Sequence, residues 1–329
     1  MDTGLNLALQ QLSPVLDGVM RVISLFGQEE IFIVVIGLFY WCLDRGLGAR
    51  LLLLLSLSDL ANGLLKWTFH LPRPYWIDPN VKALSTEISY GLPSGHSQSS
   101  LTAYGYLTAA LKKRWAWVVA AVLIAGVAFS RVYLGVHFAT DILGGWFTGA
   151  LVLLAFTQLE PRVTRWIAPK PIGWQIAALV AFSVILILVL IGVRSTLAGV
   201  SDPADWPVQA GPIDPHNANL PVSDLGLFFG ASLGLMLMQR TSGFEVQGRW
   251  SRRIARLAIG AIGVLVIRFG LGAIFPVEPL IPAMIFRYVR YATMALWAAW
   301  LAPLVFVKLG LADRADQTDR AARFDRAGN

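Results

Sequence analysis

Residues 173–192 read GWQIAALVAFSVILILVLIG, without a single charged side chain. An α-helix needs about 20 mainly apolar residues to cross a hydrocarbon core about 30 Å thick, because each residue rises 1.5 Å. Working outward from this stretch, eight further segments carry the same signal: 29–47, 49–67, 97–111, 115–134, 138–157, 222–239, 254–275 and 281–307. Those at 29–47 and 222–239 have the shortest uninterrupted apolar cores. The expected fold class is all-α, a polytopic membrane helix bundle of about nine transmembrane helices. Composition agrees. Of 329 residues, 56% are hydrophobic and 14% charged, against about 25% charged in soluble domains. The lone cysteine, Cys42, excludes an intrachain disulfide framework and a cysteine-based zinc site. A net charge of +7 would suggest nucleic acid in a soluble protein. Here too little water-facing surface is expected to carry a basic face, and no nucleic-acid partner is expected.

The basic residues instead report orientation. Taking alternate connections together places Arg45, Arg50, Lys112–Arg114, Arg162, Arg165, Lys170, Arg240, Arg249, Arg252, Arg253, Arg256, Lys308, Arg314, Arg320, Arg323 and Arg326 on one side, 18 of 27 cations. Loops rich in Lys and Arg stay cytoplasmic. An odd number of spans then puts the N-terminus outside and the C-terminus in the cytoplasm. The expected setting is a bacterial-type plasma (inner) membrane. The chain divides into five regions. Residues 1–28 form an N-terminal interfacial segment, broken or restarted at Pro14, with no cleaved-signal pattern. Residues 29–192 hold six spans, and 193–223 form an outer loop rich in Pro, Asp and Asn, read as a linker or cap. Residues 224–311 add three spans, and 312–329 form a charged cytoplasmic tail.

Cations beside a bilayer are costly, so those outside the cytoplasmic groups need a reason. Lys66 ends the second span, with Arg73-Pro74 shortly after it. Pro93-Ser94-Gly95-His96 opens the third span, Ser130-Arg131 closes the fourth, and His137 with Asp141 opens the fifth. All three clusters fall on the outer side of a topology derived from charge alone. Lys66, Arg73 and Arg131 supply three cations, and the arginine forks suit phosphate oxygens. A helix opening at Ser94-Gly95-His96 offers free N–H groups to an anion, and Gly95 permits close backbone approach. His137 and Asp141 stand i, i+4, so the carboxylate reaches one ring nitrogen and leaves the other free to attack. His96 is then available as proton donor to a leaving oxygen. The chemistry that fits is phosphoryl transfer to a histidine.

Lys66-x6-Arg73-Pro74, Pro93-Ser94-Gly95-His96 and Ser130-Arg131-x5-His137-x3-Asp141 resemble the three-part signature of the type 2 phosphatidic acid phosphatase superfamily. The resemblance covers roughly residues 50–157. It implies a six-helix phosphatase core, with His137 as the nucleophile of a phosphohistidine intermediate, Asp141 orienting it and His96 as general acid. It implies Lys66, Arg73, Ser94, Gly95 and Arg131 as phosphate ligands, with no metal and no other cofactor. The smaller core resembles bacterial lipid phosphatases, whereas nine spans and Pro74-Tyr75-Trp76 are closer to glucose-6-phosphatase.

A single membrane-edge cation is more often a snorkelling anchor, but anchoring requires neither this spacing nor a Gly-His pair. Asp59, Asn62 and Lys66 share one helical face, so Asp59 and Asn62 are read either as support for Lys66 or as polar contacts between helices. His70 and His216 receive no role. Arg268, Arg287 and Arg290 inside the last two spans are read as an ion-pair network with Glu278 or Asp224, or as a second anion site. The expected activity is hydrolysis of a lipid-linked phosphate or pyrophosphate monoester at the outer face, with membrane lipids as further partners. The rivals are a soluble sugar phosphate as substrate, a lipid phosphotransferase, and a transporter or anion channel. Neither the lipid nor the oligomeric state can be read from the sequence.

Overall fold

The computed structural model describes residues 2–206, 211, 213–241 and 243–315. From residue 316 on, the expected tail lies outside the described residues. Every described element is helical. Thirteen α-helices succeed one another in chain order: α1 Gly4–Gln10, α2 Asp17–Leu25, α3 Glu29–Leu38, α4 Arg45–Phe69, α5 Pro74–Ile77, α6 Gly95–Leu111, α7 Arg114–Tyr133, α8 Ala139–Ile167, α9 Ile172–Ser195, α10 Asn219–Arg240, α11 Trp250–Ile274, α12 Leu280–Leu296 and α13 Ala302–Lys308. Among the described residues seven helical stretches are long and apolar enough to cross a membrane, or eight if the bent pair Asp17–Leu25 and Glu29–Leu43 counts as one. The protein is an integral membrane protein with an all-helical fold.

Against about nine expected spans, seven or eight described stretches have the length and apolarity of a crossing, and two of the expected spans account for the difference. The first expected span, 29–47, is cut short: its helix runs from Glu29 only to Leu43 and reaches crossing length only together with α2, across a 44° bend. The third, α6, is 17 residues long, at the lower limit of what a crossing needs. It buries Ser97, Gln98, Ser99, Ser100, Thr102 and Thr108, so protein rather than lipid surrounds much of it. Pro14 lies between α1 and α2, as expected of a helix breaker.

The chain divides into two compact units. The first comprises Met1–Ile33, Leu54–Ile167 and Val184–Asp224. In it α6 packs against α7 and α8, while α1 and α2 pack on α7. Ser94 caps α6, its Oγ accepting from the Ser97 N–H at 3.4 Å. The α6–α8 approach depends on small residues. A Cβ at Gly145 of α8 would lie 2.5 Å from the Ser94 carbonyl oxygen, and one at Gly149 2.9 Å from that of Gln98.

The second unit comprises Val34–Leu53, Ala168–Ser183 and Leu225–Asn329. Two π-turns, Phe39–Leu43 and Trp297–Leu301, lie within it. They are tied by Tyr40 Oη donating to the Ala299 carbonyl at 2.6 Å and Trp41 Nε1 to that of Ala298 at 2.9 Å. A π-turn adds a residue to a helical turn and re-aims the side chains around it. Here the re-aimed aromatic rings pack with Phe244 and Phe306 in one buried cluster. Arg256 is buried beside it and donates to the carbonyls of Glu245 and Val246.

Candidate active site

The three cations come from three helix ends of the first unit. Lys66 stands in the last turn of α4, where its Nζ donates to the backbone carbonyl of Tyr90. Arg73 precedes α5, whose Pro74 takes the N-terminal position that needs no N–H. Its guanidinium is buried and nearly saturated. Nε donates to Ser89 O (2.6 Å), Nη1 to Val136 O (3.0 Å), and Nη2 to Ser89 Oγ (3.2 Å) and Tyr90 O (3.1 Å). Nη1 also lies 3.1 Å from His137 Nε2.

That last contact fixes a tautomer. Arginine has no acceptor, so Nε2 of His137 must accept, and the ring proton sits on Nδ1. Nδ1 lies 3.1 Å from Asp141 Oδ2, which also accepts the Phe138 N–H at 3.0 Å. Burial first, then the neighbouring charges of Arg73, Lys66 and Arg131, hold the His137 pKa well below the usual imidazole range. The ring is therefore neutral, with its lone pair on the nitrogen that faces Arg73. Asn6 of α1 steadies the turn before α8 by donating to the carbonyls of Val132 (2.8 Å) and His137 (3.1 Å).

Arg131, in the last turn of α7, donates through Nη1 to Ser24 Oγ at 2.8 Å and through Nη2 to Glu87 Oε1. Burial alone would raise the pKa of Glu87, but Arg73 and Arg131 outweigh it and bring the carboxyl down to about 2. The carboxylate is a fixed anion among the cations. His96 lies in the first turn of α6, and its buried Nε2 has no hydrogen-bond partner among the described residues. The Ser94 N–H donates to the Asp141 carbonyl at 3.0 Å, tying the α6 cap to the start of α8.

A cavity of about 350 Å³ is lined by Lys66, Arg73, Gly95, His96 and His137 among others. The structure thus gathers Lys66, Arg73, Gly95, His96 and His137 around one space. Asp141 and Arg131 stand behind it, bonded to His137 and to Glu87. Ser94 is fully buried in its capping role. The bonds of Asp59 and Asn62 run to α6 rather than to Lys66. Ser99 Oγ donates to Asp59 Oδ1 at 2.6 Å, and Asn62 Nδ2 donates to Gln98 Oε1 at 2.8 Å. Of the two readings given to this pair, the interhelical contact describes these bonds. Arg268 lies over the Phe269 ring, and Arg287 and Arg290 both lie over that of Tyr291.

Several residues at the site carry no sequence signal of their own. Glu87, Tyr90, Asn6 and Ser24 stand at no fixed spacing from the signature, and their contacts form only on folding. The cavity also takes in Glu29, Glu30, Asp59 and Asp224, Pro215 and Asn217 from the α9–α10 connection, and Leu220 and Pro221 from the first turn of α10.

Comparison with known proteins decides the family. Residues 47–165 match the PAP2 superfamily, and residues 222–314 match the transmembrane extension of PAP2 superfamily phosphatases. The two matches together span more than half of the chain. The chain belongs to the PAP2 superfamily. Phosphatidylglycerophosphatase B of Bacillus subtilis is 31% identical over 131 residues, covering 36% of this chain and 61% of that protein. Undecaprenyl-diphosphatase of Sulfolobus acidocaldarius is 27% identical over 148 residues, 44% of this chain and 71% of its own length. Sphingosine-1-phosphate phosphatase 2 of Mus musculus is 32% identical over 149 residues, 42% of this chain and 40% of its own. The chain thus spans less than two thirds of the first and third of these relatives. A solved structure of a transmembrane PAP2-type phosphatidylglycerolphosphate phosphatase from Bacillus subtilis is 28% identical, covers 49% of this chain and 86% of its own, and has a TM-score of 0.40.

Proposed function

We propose that this protein is a membrane phosphatase that hydrolyses a lipid-linked phosphate or pyrophosphate monoester at the outer membrane face through a phosphohistidine. One observation carries the reading: the His137 ring is held between Asp141 at Nδ1 and Arg73 at Nε2, so that the nitrogen with the lone pair is the one beside a cation, and both His137 and Arg73 line the cavity. That is the geometry of an oriented nucleophile.

In the proposed reaction Nε2 attacks phosphorus in line, and the bond to the leaving oxygen breaks. Arg73 transfers its Nη1 contact from Nε2 to an equatorial phosphate oxygen, and Lys66 and Arg131 neutralise the remaining charge. Asp141 stabilises the imidazolium-like ring. His96 takes up a proton as the substrate's phosphate anion settles beside it, gives that proton to the leaving oxygen, then takes one from the water that attacks the phosphohistidine. Free phosphate leaves and His137 is regenerated. Side-chain cations supply the charge that a divalent ion supplies elsewhere, so turnover in EDTA is expected. A substrate headgroup reaches helix ends at the membrane edge without leaving the bilayer. The names of relatives acting on phosphatidylglycerophosphate, undecaprenyl diphosphate and sphingosine 1-phosphate support a lipid substrate.

Phosphate release by purified protein in EDTA tests the reading, with phosphatidate, phosphatidylglycerophosphate, undecaprenyl pyrophosphate and glucose 6-phosphate as substrates. His137→Ala should lower release by about 10³-fold or more and leave the melting temperature within a few degrees. Acid-labile label from a ³²P-substrate should be lost with it. Unchanged release in His137→Ala would refute the assignment. Surviving anion uptake in that variant would favour a transporter. For orientation, a cysteine at Asp205 should react with an impermeant maleimide in intact cells; labelling only after lysis would reverse the topology.

A further inference from the structure

The two family matches end at residue 165 and resume at 222. The α9–α10 connection falls between them, yet it reaches the site. Trp67, the neighbour of Lys66, donates through Nε1 to the Pro215 carbonyl at 3.1 Å. The Asp214 N–H donates to the Ile88 carbonyl at 3.1 Å, one residue past Glu87. Trp206 packs on Trp76 of α5 with ring centroids 5.5 Å apart. Gly63, one turn before Lys66, admits Pro221, whose Cγ lies 2.6 Å from where a Cβ would stand.

Tyr90 joins this segment to the cations. Its backbone carbonyl accepts from both Lys66 and Arg73. Its hydroxyl donates to Asp202 Oδ1 at 2.8 Å and lies 2.9 Å from His216 Nε2, which is 3.3 Å from Asp202 Oδ2. The phenol's one proton goes to Asp202, so Nε2–H of His216 is the donor to the remaining oxygens. The three side chains form a closed polar latch with no member in the cavity lining. The segment it fastens contributes Pro215, Leu220 and Pro221 to that lining, beside Trp67, with Asn217 as its one amide.

We propose that residues 213–221, fastened by Tyr90, Asp202 and His216, are the specificity wall of this site and hold the apolar alcohol moiety next to the substrate phosphate. Two prolines, a leucine and an indole offer one backbone-rigid apolar surface and few hydrogen bonds. A lipid chain loses nothing against that face, whereas a sugar hydroxyl turned toward it finds no partner there, and such a mismatch is costly. The proposal rests on the phosphatase reading and names the residues of this chain that select an apolar alcohol next to the phosphate.

The test compares phosphatidate in mixed micelles, glucose 6-phosphate and p-nitrophenyl phosphate on the full chain. In Asp202→Ala the kcat/KM for phosphatidate should fall about tenfold through KM, while kcat for p-nitrophenyl phosphate stays within about twofold. Asp205→Ala, an exposed acid outside the latch, should leave all three substrates unchanged. Leu220 is half exposed, so Leu220→Gln alters the wall without a folding cost and should raise the phosphatidate KM by a similar factor. Unchanged phosphatidate KM in both Asp202→Ala and Leu220→Gln would overturn the wall while leaving the phosphatase intact. No phosphate release by the wild-type protein from any substrate would overturn the phosphatase reading and this proposal with it.

Discussion

Helices α6 and α9 both carry the sequence pattern of a membrane span, and they are built on opposite principles. α9 has a mean hydropathy of 3.2 across its best window, and only 17% of that window is buried inside the protein. Phe182, Ile185, Leu188 and Ile191 face outward. α6 turns Ser97, Gln98, Ser100 and Thr102 inward and seals them against α4, α7 and α8. Lipid solvates the first, so its side chains need only be apolar. Protein surrounds the second, so each polar atom must meet a specific partner. The difference predicts where substitutions are felt.

The largest effect is expected where α8 touches the α6 cap. A methyl at Gly145 would lie 2.5 Å from Ser94 O and 3.2 Å from Gln98 N, both backbone atoms. Neither yields without moving the helix start that carries His96. Gly145→Ala should therefore destabilise by about 2–4 kcal/mol, in the range of severe overpacking, and lower phosphate release by about 10²-fold or more. Melting of the purified protein in detergent, together with the release assay, checks both. A variant that melts and turns over like the wild type would mean that α6 and α8 are not in contact at that turn.

A second, smaller effect concerns the polar seam between α4 and α6. Gln98 Nε2 donates to Ser58 O at 2.6 Å and to Ser58 Oγ at 3.0 Å, and its Oε1 accepts from Asn62. Gln98→Ala leaves a buried amide and hydroxyl short of partners, at a cost of about 1–2 kcal/mol. Activity should fall severalfold, because Asn62 also donates to the Pro93 carbonyl just before the cap. Wild-type melting in Gln98→Ala would place the seam in contact with water.

How much is legible in the sequence depends on the same contrast. The signature residues can be read because the proposed phosphoryl transfer needs fixed residue types at fixed spacing; the structure sets Lys66, Arg73, His96 and His137 around one cavity. The all-helical membrane architecture can be read because hydropathy reports the lipid-facing surface. α6 is a helix as expected, but its polar, protein-covered surroundings are not encoded in hydropathy. Glu87, Asn6 and Ser24 are invisible for a different reason. Glu87 meets Arg131 across 44 positions and Asn6 meets the His137 carbonyl across 131, so only the fold pairs them. Asp202 and His216 likewise show as scattered polar residues until Tyr90 joins them.

The smallest effect is expected on α9 and is the sharpest check on the comparison. Leu188 is 62% exposed on a helix whose outward face is read as lipid-solvated. Within a bilayer or micelle, a leucine there exchanges one apolar neighbour for another, so the transfer term that makes core truncations cost about 2–5 kcal/mol is missing. Alanine is also the stronger helix former. Leu188→Ala should shift the melting temperature by no more than about 1–2 °C, corresponding to about 0.5 kcal/mol for a protein of this size, and leave phosphate release unchanged. Gln98→Ala, on the shorter and more polar helix, should shift it several times further. A drop at Leu188 as large as that at Gln98 would show that protein rather than lipid covers α9, and the two helices would then differ only in hydropathy, not in what solvates them.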